Sequence, residues 1–460
     1  MLEVKEDTLE SLLRKAIQGL QSSESRIVSY TKKIKNINPL EFFDAGSEFH
    51  MERSFWKSTI DEFTLVGIGN AYTVGVGHLP INELEEAWQS IIHNAVIYNP
   101  YEEPGIGLAA IGGMDFDPLK QKTSLWNKFK QNALRIPRFM LANKGKNFYL
   151  TITIMVKTDD DPKEITEHLL KQETFLLAKR NIPSENITIL HQKEVEPNKW
   201  KDTVKKTTEY ITAGHVEKVV LARELQLEFQ EDVQLTKVLQ QLMDKQPTSY
   251  IFAYEVKDNC FIGATPERLV KVEHNELLST CLAGTAPRGQ NEEDDEKLGY
   301  ELLHDDKNLQ EHDFVVQMIK DSVEEYCEDL QIPEHPVLYK LRNLQHLYTP
   351  VKGKFKDGYS IFHVIEKLHP TPALGGEPRP EALTYIREHE QLDRGWYGAP
   401  FGWIDNNQNG EFAVAIRSGL IKNNKASLFA GCGVVKDSDP EAEYEETRIK
   451  FMPMLTVLGG

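Results

Sequence analysis

The chain is 460 residues long, more than a single hydrophobic core usually serves, so it forms either two domains or one large layered domain. Its 53 basic against 71 acidic residues leave a formal charge of -18, which repels a phosphate backbone and argues against nucleic acid as a partner. No basic and cleavable apolar leader and no run of about 18 apolar residues occurs, so no membrane partner and a cytoplasmic location are expected. Cys260, Cys281, Cys327 and Cys432 form no CxxC pair, which predicts neither a disulfide framework nor a zinc ribbon.

Apolar residues recur at helical spacing from Leu9 to Leu20 behind an Asp7/Thr8 capping signal, predicting a first helix. Arg26 to Ile34 and Phe63 to Val76 alternate as strands, and Leu84, Trp88, Ile91 and Ile92 mark a second helix. GIGLAAIGGMDFD, from Gly105 to Asp117, fails the G-x-G-x-x-G spacing and reads as a strand with tight backbone contacts. Phe139 to Val156 reads as a hairpin around Asn143 to Lys146, and no Walker-type GxxxxGK[ST] exists. Asp161 to Arg180 and Pro197 to Ile211 read as helices. The polar segment between them is the best candidate for a boundary, a split of convenience into an N-terminal part, 1–195, and a second region, 196–460, with no low-complexity linker to keep the two apart.

In HVEKVVLARELQLEF, alternation puts Val216, Lys218, Val220 and Ala222 on one strand face. Lys218 lies either on an open edge or buried, where desolvation would lower its pKa and make it a base. Strands over Ser249 to Val256 and Cys260 to Ala264 lead to Pro266, which holds Glu267 at a strand end, facing a cleft or paired with Arg268. A hairpin around His274-Asn275 leads to STCLAGTAPRG, where Gly284-Thr285 offers a turn, a hydroxyl and free amides. The acid run Glu292 to Glu296 reads as solvated. In a helix over Asp306 to Cys327, Glu311 shares its phase with Val315, Met318 and Ser322: it is either a surface glutamate in a glutamate-rich chain or an inward carboxylate that requires a cation. After Ile361 to Leu368, HPTPALGGEP forms a loop shaped by proline and glycine. Asp405, Asn407, Asn409 and Gly410 begin like a calcium loop, but Ile416 stands at the twelfth position, so a hairpin turn is expected. On the following strand Arg417 shares a face with Ala413 and Ala415, suiting capture of a carboxylate.

The last stretch is FAGCGVVKDSDPEAEYEETRIK, Phe429 to Lys450. Gly431 and Gly433 permit a close backbone approach, and a helix over Glu441 to Met454 puts Glu443, Glu446 and Lys450 on one face. This is a solvated helix end, or it is where a metal and an anionic small molecule meet. Glu311 with Glu443 and Glu446 would make an all-oxygen site that suits magnesium over zinc.

EKVVLAR, IGATPERL, LAGTAPRG, the KNLQEHDFVV helix, HPTPALGG, YGAPFGWID, AVAIR, and FAGCGVV with AEYEETRIK, in this order, resemble the chorismate-utilising enzymes. That family includes anthranilate synthase component I, aminodeoxychorismate synthase, salicylate synthase and isochorismate synthase. The resemblance covers roughly Pro197 to Leu458. It implies an α+β fold with a four-layered α/β/β/α core of two packed, mainly antiparallel sheets and outer helices, with chorismate as substrate and magnesium as cofactor.

By the same resemblance, Glu311 and Glu446 hold the metal, with Glu443 adjacent or acting through water. Arg417, Lys450 and the backbone at Gly431 and Gly433 receive the substrate carboxylates, while Gly284 and Thr285 line the ring. Lys218 stands where isochorismate-forming members carry the lysine that activates water and ammonia-using members carry glutamine. No glutamine amidotransferase subunit is therefore expected, and the chain is a monomer or homodimer. Ala283 stands where covalent aminodeoxychorismate synthases carry a lysine, so that nucleophile is missing. Glu267 matches the acid that protonates the departing C4 hydroxyl, and Ala373 in PTPAL resembles the members that stop at isochorismate. The implied reaction is reversible conversion of chorismate to isochorismate, by water attack at C2, for menaquinone or siderophore synthesis. Salicylate synthase is the alternative, and a non-catalytic acidic binding protein is the rival of another class. Cys281, where many relatives have proline, and GGEPRP after the loop depart from the common pattern and bear on substrate fit.

Overall fold

The computed structural model describes residues 8–75, 80–182, 186–340 and 344–460. Asp7 and Val76, which belonged to the expected first cap and second strand, lie outside these. Two large sheets organise the chain. The first runs, strand by strand, Ile189–Glu194, Lys218–Phe229, Lys425–Val434, Ser418–Lys422, Asn259–Thr265, Tyr250–Val256, Arg53–Ser58, Phe63–Ile68, Phe139–Lys144, Asn147–Lys157, Ser25–Ile34 and Val96–Tyr98. The second runs Cys327–Gln331, Leu344–Phe355, Glu276–Pro287, Arg268–Glu273, Gly410–Val414, Pro400–Asp405, Ala109–Met114, Asn132–Ile136 and Tyr72–Val74.

The strand order is a palindrome. Outward from the Tyr250–Val256 and Arg53–Ser58 pair, each half contributes a hairpin, then a returning hairpin, then its own first strand. The second sheet is also joined at its middle by one strand from each half, Pro400–Asp405 and Ala109–Met114, each beginning a hairpin, but its N-terminal flank is shorter. Both sheets therefore draw strands from both sides of residue 195, and the backbone ladder continues across it.

Between the sheets lies an aromatic core that includes Trp56, Phe252, Phe261, Trp396, Phe401 and Phe429. Each such buried ring contributes about 1.5–3 kcal/mol by leaving water. Helices Leu9–Gln18, Pro162–Leu176 and Leu235–Lys245 cover the outer face of the first sheet, and Asp306–Val323 and Ile361–Leu368 cover the second. The result is the α/β/β/α layering that the resemblance implied. Among the described residues no helix is long and apolar enough to cross a membrane.

Local expectations meet mixed outcomes. Thr8 caps the first helix through Ser11 N, and the Asp405 carboxylate closes a hairpin turn by accepting from Asn407 N and Asn409 N at 2.8 and 2.9 Å. Phe63 to Val76 divides into two strands on different sheets, because Gly69 at φ +72° turns the chain from one layer to the other. The acid run opens helix Glu292–Leu303, and its Asp295 is buried and gripped by Arg288 at 2.6 Å and Lys340 at 2.9 Å. The helix expected to reach Cys327 ends at Val323, and Cys327 begins an edge strand.

Candidate active site

Two neighbouring segments cross between the sheets in opposite directions. One leaves strand Asn259–Thr265 and enters Arg268–Glu273, while the other leaves Gly410–Val414 and enters Ser418–Lys422. Three hydrogen bonds zip the passage: Ala264 N to Arg417 O at 3.0 Å, Val414 N to Glu267 O at 3.0 Å, and Thr265 Oγ1 to Val414 O at 2.6 Å. Glu267 and Arg417 thus stand at one fork between the layers. Arg417 was expected on a strand face, but it lies between strands at φ +52°, a conformation most side chains resist.

Burial pushes the Glu267 carboxyl up to about 7, with the Arg417 guanidinium partly opposing the shift. Among the described residues no hydrogen bond reaches that carboxylate from a side chain, and Arg268 points away from it to Glu411 at 2.9 Å and Asp61 at 3.6 Å. The Glu267 carboxyl therefore holds its proton more tightly than an ordinary glutamate and is not committed to a side-chain partner. Arg417 also feels Tyr397 and Glu446, which draws the last helix into the same electrostatic neighbourhood.

Lys218 opens strand Lys218–Phe229, whose inner face meets Gly431 and Gly433 of the neighbouring strand through Ala222↔Gly431 and Val220↔Gly433. A Cβ on Gly433 would fall 2.6 Å from Lys218 Cε, so the missing side chain is what lets the lysine lie there. The strand is neither the open edge nor the sealed interior weighed above: it has partners on both sides, and Lys218 is half-buried. Three strand spacings separate it from Asn259–Thr265, roughly 14 Å between backbones.

Helix Pro440–Leu455 starts at Asp439, which accepts from Glu441 N and Ala442 N at 3.0 and 2.9 Å, with Pro440 at the first turn. Lys450 Nζ reaches Glu446 at 2.6 Å and Gly431 O at 2.9 Å, tying the helix to the glycine strand. Glu443 accepts from Ser438 Oγ at 2.7 Å through one oxygen, while its other oxygen is buried without a donor. The Cys432 thiol is close enough to feel that charge, and burial together with Glu443 pushes it far up, which disqualifies it as a thiolate nucleophile.

The three proposed metal carboxylates are not drawn into one cluster: among the described residues no group of three or more metal-binding side chains is assembled. Glu311 is exposed rather than inward, because the buried position on its helix is the next residue, His312. Glu446 takes Lys450 as its countercharge. The donor set still fits a hard cation, since it is carboxylate oxygen throughout and the buried, unpartnered oxygen of Glu443 has an unmet need for positive charge.

A β-bulge interrupts Glu276–Pro287 at Gly284, whose φ of +77° turns the next residue, Thr285, outward. Thr285 Oγ1 lies 2.9 Å from His346 Nδ1 on the adjacent strand, a partner that the sequence did not reveal because a lone histidine in a strand carries no local signal. His312 Nδ1 donates to Ala283 O at 3.0 Å and its Nε2 meets Thr349 Oγ1 at 2.8 Å, so the Glu311 helix is pinned beside the bulge. Ala373 is exposed in its loop. Buried Arg394 holds that loop by donating to Leu374 O at 2.9 Å, and holds the Lys218 strand by donating to Val220 O at 2.7 Å. Glu390 answers Arg394 at 2.6 Å and accepts from Ala222 N at 2.6 Å. Sequence reasoning missed both, since the contacts join residues more than 150 positions apart along the chain.

A family model described as "Chorismate binding enzyme" matches residues 11–459. Isochorismate synthase MenF of Bacillus subtilis is 41% identical over 443 residues, covering 94% of each chain. The salicylate biosynthesis isochorismate synthase of Pseudomonas aeruginosa is 33% identical, covering 94% of this chain and 91% of its own length. Among solved structures, MenF of Escherichia coli superposes with a TM-score of 0.79 at 24% identity over 98% of both chains, and anthranilate synthase component I of Streptococcus pneumoniae with 0.71 at 20% identity, covering 85% of this chain and 92% of that one. At such identities the two superpositions establish the fold.

Proposed function

The chain belongs to the chorismate-binding enzyme family, and from that premise we propose an isochorismate synthase, converting chorismate to isochorismate reversibly. The observation that carries the mechanism is Glu267, pushed up to about 7 by burial at a fork between the sheets; in this reading it works opposite half-buried Lys218, which lies in the space that Gly433 leaves open. Lys218 takes a proton from water as its oxygen bonds to ring carbon C2. The ring double bonds shift, the C4–oxygen bond breaks, and Glu267 delivers its proton to the departing hydroxyl. Acid and base on opposite sides of the ring each contribute a factor of roughly 10²–10⁴.

Arg417 and Lys450, with backbone groups at Gly431 and Gly433, receive the carboxylates. Gly284, Thr285 and Ala373 line the ring, and residues 196–460 carry the whole site. Glu311 and Glu446, with Glu443 beside them, would hold magnesium, whose positive charge neutralises the bound carboxylate. The enzyme works as a monomer or homodimer without an amidotransferase subunit. Its product serves menaquinone or siderophore assembly in the cytoplasm, where four free buried cysteines stay reduced.

The test is to incubate the protein with chorismate, with and without magnesium, and to separate the products. Magnesium-dependent isochorismate is expected. Stoichiometric pyruvate without an added lyase would make it a salicylate synthase, and no turnover in either condition would remove the enzymatic reading.

A further inference from the structure

The strands that form the cleft carry a second concavity at their other end. It has a volume of about 610 Å³, within the usual range for small-molecule sites. Its floor is buried and partly apolar, including Leu392, Leu420 and Ser427, whereas Lys128, Lys422 and Lys425 on its wall are exposed.

The charges there are unevenly committed. Glu224 accepts from Ser427 Oγ at 2.6 Å, and Asp393 accepts from Thr123 N at 2.6 Å and Gly395 N at 3.2 Å. Lys422 is answered by Asp258 at 3.5 Å. Among the described residues no carboxylate pairs with Lys128 or Lys425, in a chain whose net charge is -18. The acids are thus occupied by the protein's own donors, while two ammonium groups beside an apolar floor are not occupied.

This concavity is also wired to the catalytic cleft. Ser427 and Gly431 share one face of strand Lys425–Val434, roughly 13 Å apart, with Phe429 between them on that face. Phe429 stacks on Trp126 at 5.7 Å, in the loop that walls the concavity, and meets Tyr397 at 5.4 Å, which faces Arg417. On the other wall, Asp393 immediately precedes Arg394, whose bonds hold the Ala373 loop and the Lys218 strand. We propose that this concavity is a second ligand site, for a compact ring-bearing carboxylate or phosphate, and that its occupancy changes the affinity of the catalytic cleft for substrate.

Benzoate, isophthalate and phenyl phosphate serve as probes, titrated calorimetrically into the whole chain with excess chorismate and no divalent metal. At least one should bind one-to-one, and the Lys128→Glu/Lys425→Glu double variant should lose at least tenfold in affinity while keeping its circular dichroism and its probe-free KM. In the wild type alone, a saturating probe should move the chorismate KM about fivefold or more. No binding by any probe, or equal binding to wild type and variant, overturns the site; variant-sensitive binding without a KM change overturns the coupling. Binding is read without turnover, so a failed chorismate assay would sink the proposed activity and leave this site to be decided on its own.

Discussion

In the N-terminal half the chain leaves the first sheet after Ile68, touches its edge at Val96–Tyr98 and rejoins it at Phe139; in the C-terminal half it leaves after Thr265, touches the Lys218 strand at Gly376–Glu377 and rejoins at Ser418. Each half then runs a long strand and a helix introduced by Asp-Pro, Asp161-Pro162 or Asp439-Pro440, with the aspartate accepting from two amides. The scaffolds match, but the side chains on them diverge. Strand Asn147–Lys157 has no glycine, and its Thr151 and Thr153 hydroxyls close against Thr31 and Ser29 at 3.1 and 3.3 Å. Its C-terminal counterpart has Gly431 and Gly433, which leave room for Lys218. Counted from the first proline, Glu443, Glu446 and Lys450 correspond to Ile165, His168 and Gln172. A repeated sandwich thus offers a cleft only where glycine empties the inner face and charge replaces packing.

The sharpest way to break this contrast is Lys218→Ala. Turnover should fall by roughly 10²–10⁴ with chorismate binding still measurable by calorimetry, and wild-type-like rates would remove Lys218 as the base. Next is Gly433→Ala, whose Cβ would stand 2.6 Å from Lys218 Cε and must displace it. A drop in kcat/KM of about 10²-fold is expected, since displacement near 1 Å has that effect, and unchanged kinetics would mean the glycine is incidental.

The helices supply a matched pair. Glu443→Gln should raise the magnesium concentration for half-activation severalfold without lowering the Tm. Ile165→Ala, at the corresponding but core-packed position, should lose about 1–2 kcal/mol in denaturant unfolding and keep its kcat. If both variants changed the same quantity, the two helices would not be doing different jobs.

The smallest effect is in pH. With Glu267 as the proposed acid, kcat/KM should decline as pH rises through about 7, and a profile flat from 6 to 8 would count against the assignment. Stability runs the same way. The folded value lies above the unfolded one, so the contribution is complete below about 4.5 and is lost as pH rises through about 7. Glu267→Gln should therefore gain on the wild type in denaturant midpoint between pH 5 and pH 8.

The cap at Thr8, the hairpin from Phe139 onward, the turn at Asp405 and the shared face of Glu443, Glu446 and Lys450 were legible in the sequence, because period, capping and turn chemistry act over a few residues. Glu311 was placed in phase with an apolar stripe, yet the stripe turns on His312, whose partners Ala283 and Thr349 lie on two distant strands. Arg417 was assigned to a strand face because alternation continues through Ile416 in the sequence, while hydrogen bonding between two crossing segments lifts it off the sheet.

The motifs of the C-terminal half by themselves determined the family and, through Lys218 and Ala373, the branch of chemistry to test, since residue type at an ordered motif position is a property of the chain. Only the tertiary structure decided that Gly433 makes room for Lys218, that Arg268 turns to Glu411 and leaves Glu267 uncommitted, and that Arg394 joins the Ala373 loop to the Lys218 strand. The reason is physical: burial, strand register and the pairing of distant charges come into being only when two sheets close on each other, and no local pattern encodes them.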